Sequence, residues 1–125
     1  MIEPSNWKVL VVEDTEDDKM VISKIFRHHG AEVLTANNGE DCLSILSQML
    51  PTFVVTDLSM PLMDGWQTLA SIRANANTAH IPVIAVTAYH SADMDIDVQK
   101  AGFDAYFPKP VRPNQLMDVI TDLLS

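Results

Sequence analysis

The 125-residue chain is 47% apolar and 20% charged, a balance that fits a folded domain with its own core and excludes a disordered polyelectrolyte. Its formal charge of −9 excludes the clustered Lys and Arg of a nucleic-acid surface and suits a bound cation instead. The single cysteine, Cys42, excludes an internal disulfide, and no run reaches the ~18 apolar residues that a membrane span needs. Met1 to Asn6 holds an acid and a proline and leads into no long apolar core, so no signal peptide is expected and the cytoplasm is the expected compartment.

Lys8 to Val12 is a continuous apolar run, as a parallel strand covered on both faces requires, and it ends in Glu13-Asp14. Thr15 to Asp18 opens a helix with a hydroxyl cap and acids in the first turn. Its buried stripe is expected from Val21/Ile25 and Ile22/Phe26, and Gly30 suits the left-handed position past its end. Ala31 to Thr35 is a short strand, and Asn37-Asn38-Gly39 a turn. Asp41 to Leu50 is a second helix with Leu43, Leu46 and Leu50 inward, stopped by Pro51; Cys42 within it reads as a buried thiol.

Phe53 to Asp57 is a β-branched strand that runs into one acid, followed by a loop with Pro61 and Asp64-Gly65. Trp66 to Ala74 is a third helix, with Trp66 a packing residue, and Asn75 to His80 a polar linker. Ile81 to Val86 is a fourth strand whose proline sits at the start, and Thr87-Ala88 follows it. Ser91 to Ala101 is a weak helix: Asp93, Asp95 and Asp97 are poor helix formers and the stripe Met94, Val98, Ala101 is thin, so a mobile element is expected there. Ala105 to Phe107 is a fifth strand, ending in Pro108-Lys109-Pro110, and Asn114 is expected to cap a last helix carrying Leu116, Val119, Ile120 and Leu123. Five strands alternating with five helices, without repeats or a linker, predict one α/β domain over residues 1–125: a doubly wound five-stranded parallel sheet with helices on both faces.

Parallel strands bring their carboxyl ends to one edge, where such sheets bind ligands. Glu13 and Asp14, Asp57, Thr87 and Lys109 all stand at strand ends. Three carboxylates together repel, and all-oxygen ligation suits Mg²⁺, with Mn²⁺ as a substitute. A carboxylate nucleophile, a metal, a lysine and a hydroxyl are the parts of a phosphoryl-transfer site that forms an aspartyl phosphate.

The segments Val11-Val-Glu-Asp14, Thr56-Asp-Leu-Ser-Met-Pro61 with Asp64-Gly65, Val86-Thr-Ala88 and Ala105-Tyr-Phe-Pro-Lys-Pro110 resemble the CheY-like receiver domains of two-component response regulators. The resemblance spans about residues 7 to 124 and implies the strand order 2-1-3-4-5. It implies that Asp57 accepts a phosphoryl group from a histidine kinase or His-phosphotransfer protein. Asp14, Asp57 and the backbone carbonyl of Ser59 would hold Mg²⁺, with Glu13 acting through a metal-bound water. Lys109 would pair with the phosphoryl oxygens, Thr87 and the amide of Ala88 would bond them, and Tyr106 would rotate inward as Thr87 moves. The face of the fourth helix, fifth strand and fifth helix would then present a changed surface to a downstream protein, as a monomer or a phosphorylation-linked dimer. Ser59 and Tyr89 occupy positions that tune the phosphoryl lifetime, and the bulk of Tyr89 would slow hydrolysis. The Lys109–Pro110 peptide is expected to be cis.

Other readings fit less well. A metal-dependent phosphohydrolase of haloacid-dehalogenase type places D-x-D on the nucleophile strand, whereas Asp57 is followed by Leu58-Ser59. A degenerate receiver serving only as an interaction module would lack Asp57, the acid pair or Lys109, and all are present. A flavin or nucleotide binder would need a glycine-rich phosphate loop after a strand. No turnover of a separate substrate is expected, and a receiver within a hybrid kinase or longer regulator fits the sequence as well as a free-standing one. Asp93, Asp95 and Asp97 lack the glycine and glutamate of a calcium loop. His28, His29, His80 and His90 have no metal-ligand spacing.

Overall fold

A computed structural model describes residues 3–88, 91 and 93–125. After a 3-10 turn at Pro4–Asn6, the strands are β1 Lys8–Val12, β2 Glu32–Ala36, β3 Phe53–Asp57, β4 Val83–Thr87 and β5 Ala105–Pro108. They alternate with the helices α1 Glu16–His28, α2 Gly39–Leu46, α3 Gly65–Ala74, α4 Met94–Ala101 and α5 Pro113–Leu124. All strand pairs are parallel and the order is β2-β1-β3-β4-β5, so the predicted doubly wound α/β fold is the one observed.

The period of two along each strand divides the core. Val9, Val11, Phe53, Val55, Ile84 and Val86 face one side, against Ile22 and Phe26 of α1 and Leu116 and Ile120 of α5. Leu10, Val12, Val54, Val83 and Ala85 face the other, against Cys42 and Leu46 of α2, Leu69 and Ile72 of α3, and Val98 of α4. Every residue of β3 and β4 is buried, which explains why both read as unbroken apolar runs. Trp7 closes the first core, with its ring edge-on to Phe26 and Phe53 at centroid distances of 6.5 and 5.4 Å.

Several expected details are corrected. Val21 is 54% exposed and Leu50 53% exposed, so the α1 stripe runs through Ile22 and Phe26, and α2 ends at Leu46 with Leu50 outside it. Ile25 is half-buried against the same core, so of the Val21/Ile25 pair only Val21 turns to solvent. Helix α2 begins at Gly39, not Asp41, because the Asn38 side chain accepts from the Asp41 amide at 2.9 Å and caps it. Thr15 takes the N-cap position of α1 without a cap bond from its side chain. Helix α5 is led by Arg112 and Pro113, not capped by Asn114, since proline suits the first helical position where no N–H is needed. The β4 ladder starts at Val83, after the proline that has no N–H to give. Helix α4 begins at Met94 rather than Ser91; Val98 is buried, Met94 half-buried and Ala101 exposed, so its contact with the sheet is as thin as expected. His28, His29 and His80 are exposed, and His90 lies outside the described residues.

The Asn75–His80 stretch is less a linker than a tied connection. Arg73 donates to the carbonyls of Ala79 (3.2 Å), Ile81 (2.6 Å) and Gly102 (3.1 Å) and to Asp104 Oδ2 (2.9 Å). Asp104 Oδ2 also accepts from the Val83 amide at 2.8 Å, so one guanidinium joins α3, the start of β4 and the turn after α4. Cys42 is fully buried, and burial first, with the Asp41 charge second, pushes its thiol from 9.0 up to about 12. The unfolded thiol ionises near its ordinary value while the folded one does not, so this group's contribution to stability falls as pH rises from about 9 toward 12. Iodoacetamide at pH 8 is expected to leave Cys42 unmodified in the folded protein and to alkylate it in denaturant, as read by intact mass. Rapid alkylation of the native protein would contradict a closed second core. Among the described residues no helix is long and apolar enough to cross a membrane.

Candidate metal and phosphoacceptor site

The site lies where the strand order reverses, between β1 and β3, at their carboxyl ends. Glu13 continues from β1, its amide bonded to the Ala36 carbonyl of β2 at 3.0 Å, which fixes its side chain under the crevice. Asp57 ends β3 and is 7% exposed; its Oδ1 accepts from the Ser59 amide at 3.1 Å. Glu13, Asp14 and Asp57 each place a carboxylate oxygen within 4.8 Å of the others. Glu13 is fully buried and Asp14 exposed, so the cluster is closed below and open above.

Lys109 arrives from the end of β5, with its amide held by the Thr87 carbonyl at 2.8 Å. Its Nζ donates to Asp57 Oδ2 at 2.9 Å and Glu13 Oε1 at 3.1 Å. It also donates to Asp18 Oδ2 at 2.8 Å, a partner the sequence reading missed. Burial works to lower the Lys109 pKa, and the bonds to Asp18 and Asp57 overcome it, so the ammonium is held above its ordinary range. The Asp18 carboxyl is lowered, chiefly by the same hydrogen bond. Glu13 is pushed up to about 8, first by desolvation and then by the Asp57 charge, against the pull of Lys109.

Glu13 Oε2 is buried, and among the described residues no donor reaches it. A buried, unpaired carboxylate oxygen beside two other acids is costly on its own. Hard oxygen donors converging on an open-topped cleft fit a divalent cation such as Mg²⁺, which takes a few carboxylates and keeps water on its remaining positions.

Thr87 ends β4, 1% exposed, and Ala88 follows it at the surface. Thr87 lines a cleft of about 320 Å³ with Leu58, Ser59, Met60, Trp66 and Met94. Trp66 packs edge-on against Phe103 at 5.5 Å, as its packing assignment requires. Tyr106 stands one strand over, paired in register with Ala85 and half-buried; burial first and Asp95 second raise its phenol. Tyr89 lies outside the described residues. The Lys109–Pro110 peptide is cis.

The loop beneath Asp57 leaves no slack. Gly65 donates its amide to the Leu58 carbonyl at 3.1 Å, and a Cβ there would stand 2.3 Å from the Asp57 carbonyl oxygen and 2.9 Å from Leu58 Cα. Asp64 caps α3 reciprocally with Gln67, at 2.9 and 3.1 Å, locking this approach. Gly65→Ala is expected to cost about 1–3 kcal/mol by overpacking. Because the clash falls on the Asp57 backbone, it is also expected to slow phosphorylation by acetyl phosphate by about tenfold or more. Urea unfolding and timed intact-mass spectra measure the two; a full rate at lowered stability would show that Asp57 keeps its place.

A parallel sheet that gathers acids and a lysine at its switch point defines a phosphoacceptor signalling domain. Residues 9–121 match the response regulator receiver domain, and the chain belongs to that family. It is 30% identical over 118 residues to Protein PilH of Pseudomonas aeruginosa, covering 94% of this chain and 98% of PilH. A putative response regulator from Chloroflexus aurantiacus superposes with a TM-score of 0.89 at 26% identity, over 94% of this chain and 97% of that one. The receiver domain of sensor histidine kinase PA1611 from Pseudomonas aeruginosa, solved with a magnesium ion in its active-site cleft, superposes at 0.85 with 25% identity, over 94% and 97% of the two chains. Family membership makes the chain a receiver and not an enzyme acting on a separate substrate, and it implies a histidine kinase as the partner class.

Proposed function

We propose that residues 7–124 act as one receiver unit in the cytoplasm, in which Asp57 accepts a phosphoryl group from a phosphohistidine on a kinase or phosphotransfer protein. The observation that carries this reading is Lys109 Nζ at 2.9 Å from Asp57 Oδ2, beside three acid oxygens within 4.8 Å of one another. A carboxylate oxygen of Asp57 attacks phosphorus as the donor's N–P bond breaks, and the imidazole nitrogen keeps the bonding pair. Asp14, Asp57 and the Ser59 carbonyl would hold Mg²⁺ directly and Glu13 through water, and the ion would offset the charge gathering on the transferred oxygens. Lys109 pairs with one phosphoryl oxygen, while the Thr87 hydroxyl and the Ala88 amide take the others.

Phosphorylation adds about −1.5 to −2 charge where acids already repel. Lys109 and Thr87 are drawn to it, and Tyr106 fills the space Thr87 leaves. Met94, half-buried on α4, borders the cleft that holds Thr87, so the change reaches a helix with one buried side chain. The face of α4, β5 and α5 is the proposed surface for a downstream protein. Ser59 and Tyr89 are proposed to set how long the phosphoryl group lasts.

Incubation with acetyl phosphate and Mg²⁺ tests this. One phosphoryl group is expected on Asp57 by intact mass and peptide mapping, and none after chelation with EDTA. Modification at another residue, or modification that persists in EDTA, would refute the assignment.

A further inference from the structure

An ammonium has three N–H donors, and those of Lys109 meet three carboxylates: Glu13, Asp57 and Asp18. No donor is left for a fourth anion. Yet on the proposed function, which this inference rests on, phosphoryl oxygens must gain Lys109. One partner has to let go. Glu13 is fully buried and gains nothing by turning away, and Asp57 carries the phosphoryl group. The Asp18 side chain is 44% exposed, so water can take it back at little cost. A cleft of about 150 Å³, lined by Asp18, Val21, Ile22, Lys109, Pro110 and Val111, gives it room to swing.

We propose that Asp18 is a positioning residue that holds Lys109 at 2.8 Å in the unphosphorylated protein and is displaced when phosphoryl oxygens take its place. Asp18 acts only through Lys109. It opposes activation, because each phosphorylation event must first break an ion pair. Its place in the first turn of α1, beside the exposed Asp17, gives an internal control: Asp17 has the same charge and the same helix end, but among the described residues Lys109 bonds Asp18 and not Asp17.

The test uses beryllofluoride, a phosphoryl mimic, titrated at saturating Mg²⁺ with tryptophan fluorescence as the signal. Asp18→Asn is expected to bind it about three- to tenfold more tightly than the parent, the size of one partly exposed ion pair. Asp18→Glu should restore parent affinity, and Asp17→Asn should leave it unchanged. A second readout needs no phosphoryl mimic: in a double-mutant cycle of urea stability, Asp18→Asn and Lys109→Met should be coupled, while Asp17→Asn and Lys109→Met should be additive. Parent-like or weaker binding by Asp18→Asn, an equal shift in Asp17→Asn, or an additive Asp18–Lys109 cycle would overturn the proposal. A parent protein that binds no beryllofluoride would overturn the phosphoacceptor reading and this one with it. A responsive parent with an indifferent Asp18→Asn would overturn this one alone.

Discussion

Asp57→Asn is expected to take up no phosphoryl group from acetyl phosphate, with initial rates lower by at least about a hundredfold, because an amide is a far poorer nucleophile than a carboxylate. The fold should survive the change. The asparagine carbonyl still accepts from the Ser59 amide or from Lys109, and the substitution removes the Asp57 charge that faces Glu13 and Asp14. Stability in EDTA is therefore expected within about 1 kcal/mol of the parent. Mg²⁺ should raise its melting temperature less than it raises that of the parent, since one anionic ligand is gone. Intact mass and thermal melts with and without Mg²⁺ measure both. Continued modification would place the acceptor elsewhere, and a stability loss of several kcal/mol would mean that Asp57 is held mainly by its bond to Lys109 and not strained by its neighbours.

Lys109→Met, by contrast, is expected to destabilise the fold. It removes the ammonium that Glu13, Asp18 and Asp57 share and leaves buried charge uncompensated. Breaking a fully buried pair costs about 3–5 kcal/mol; with Asp18 half in water, about 2–4 kcal/mol is expected in EDTA. Added Mg²⁺ should recover more stability in this variant than in the parent, because the ion meets carboxylates with no competing cation. Beryllofluoride binding should weaken by about tenfold or more, since a charge-assisted bond to the mimic is lost. Urea melts across a Mg²⁺ series decide it. Equal stabilisation of both proteins by Mg²⁺ would show that Lys109 and the ion do not share the acids.

The sheet was legible because buried parallel strands leave short, largely apolar runs rich in β-branched residues, and β1, β3 and β4 do so with acids or a threonine at their ends. The site followed, since strand ends of a parallel sheet share an edge whatever their separation in sequence. Helix boundaries were less legible. Asn38 and Pro113 set where α2 and α5 begin through cap geometry, while the apolar stripe alone pointed a residue or two further on. Asp18 was hidden for a different reason. An acid in the first turn of a helix already has an explanation in the helix dipole, so nothing marked it as a partner of a lysine 91 positions away. The available signal was its place just after the Glu13-Asp14 pair, on a helix whose start lies at the same edge. Arg73 escaped notice likewise: its acceptors are mostly carbonyls, which the residue alphabet does not display.

The hydrogen bond from the Lys109 amide to the Thr87 carbonyl has a mechanical meaning. It extends the β4–β5 ladder by one rung, to the two residues proposed to grip the phosphoryl group from that side, while Asp57 is in register with Val86 one strand away. On the proposed function, the gap that would receive a phosphoryl group is thus set by the spacing of the strands, about 4.8 Å each, and would work as a fixed gauge. A gauge of this kind cannot give when charge arrives. On the proposed function, the work done by the incoming group would go into side chains and the loops above them, with the sheet as a stationary bench on which the signal would be read.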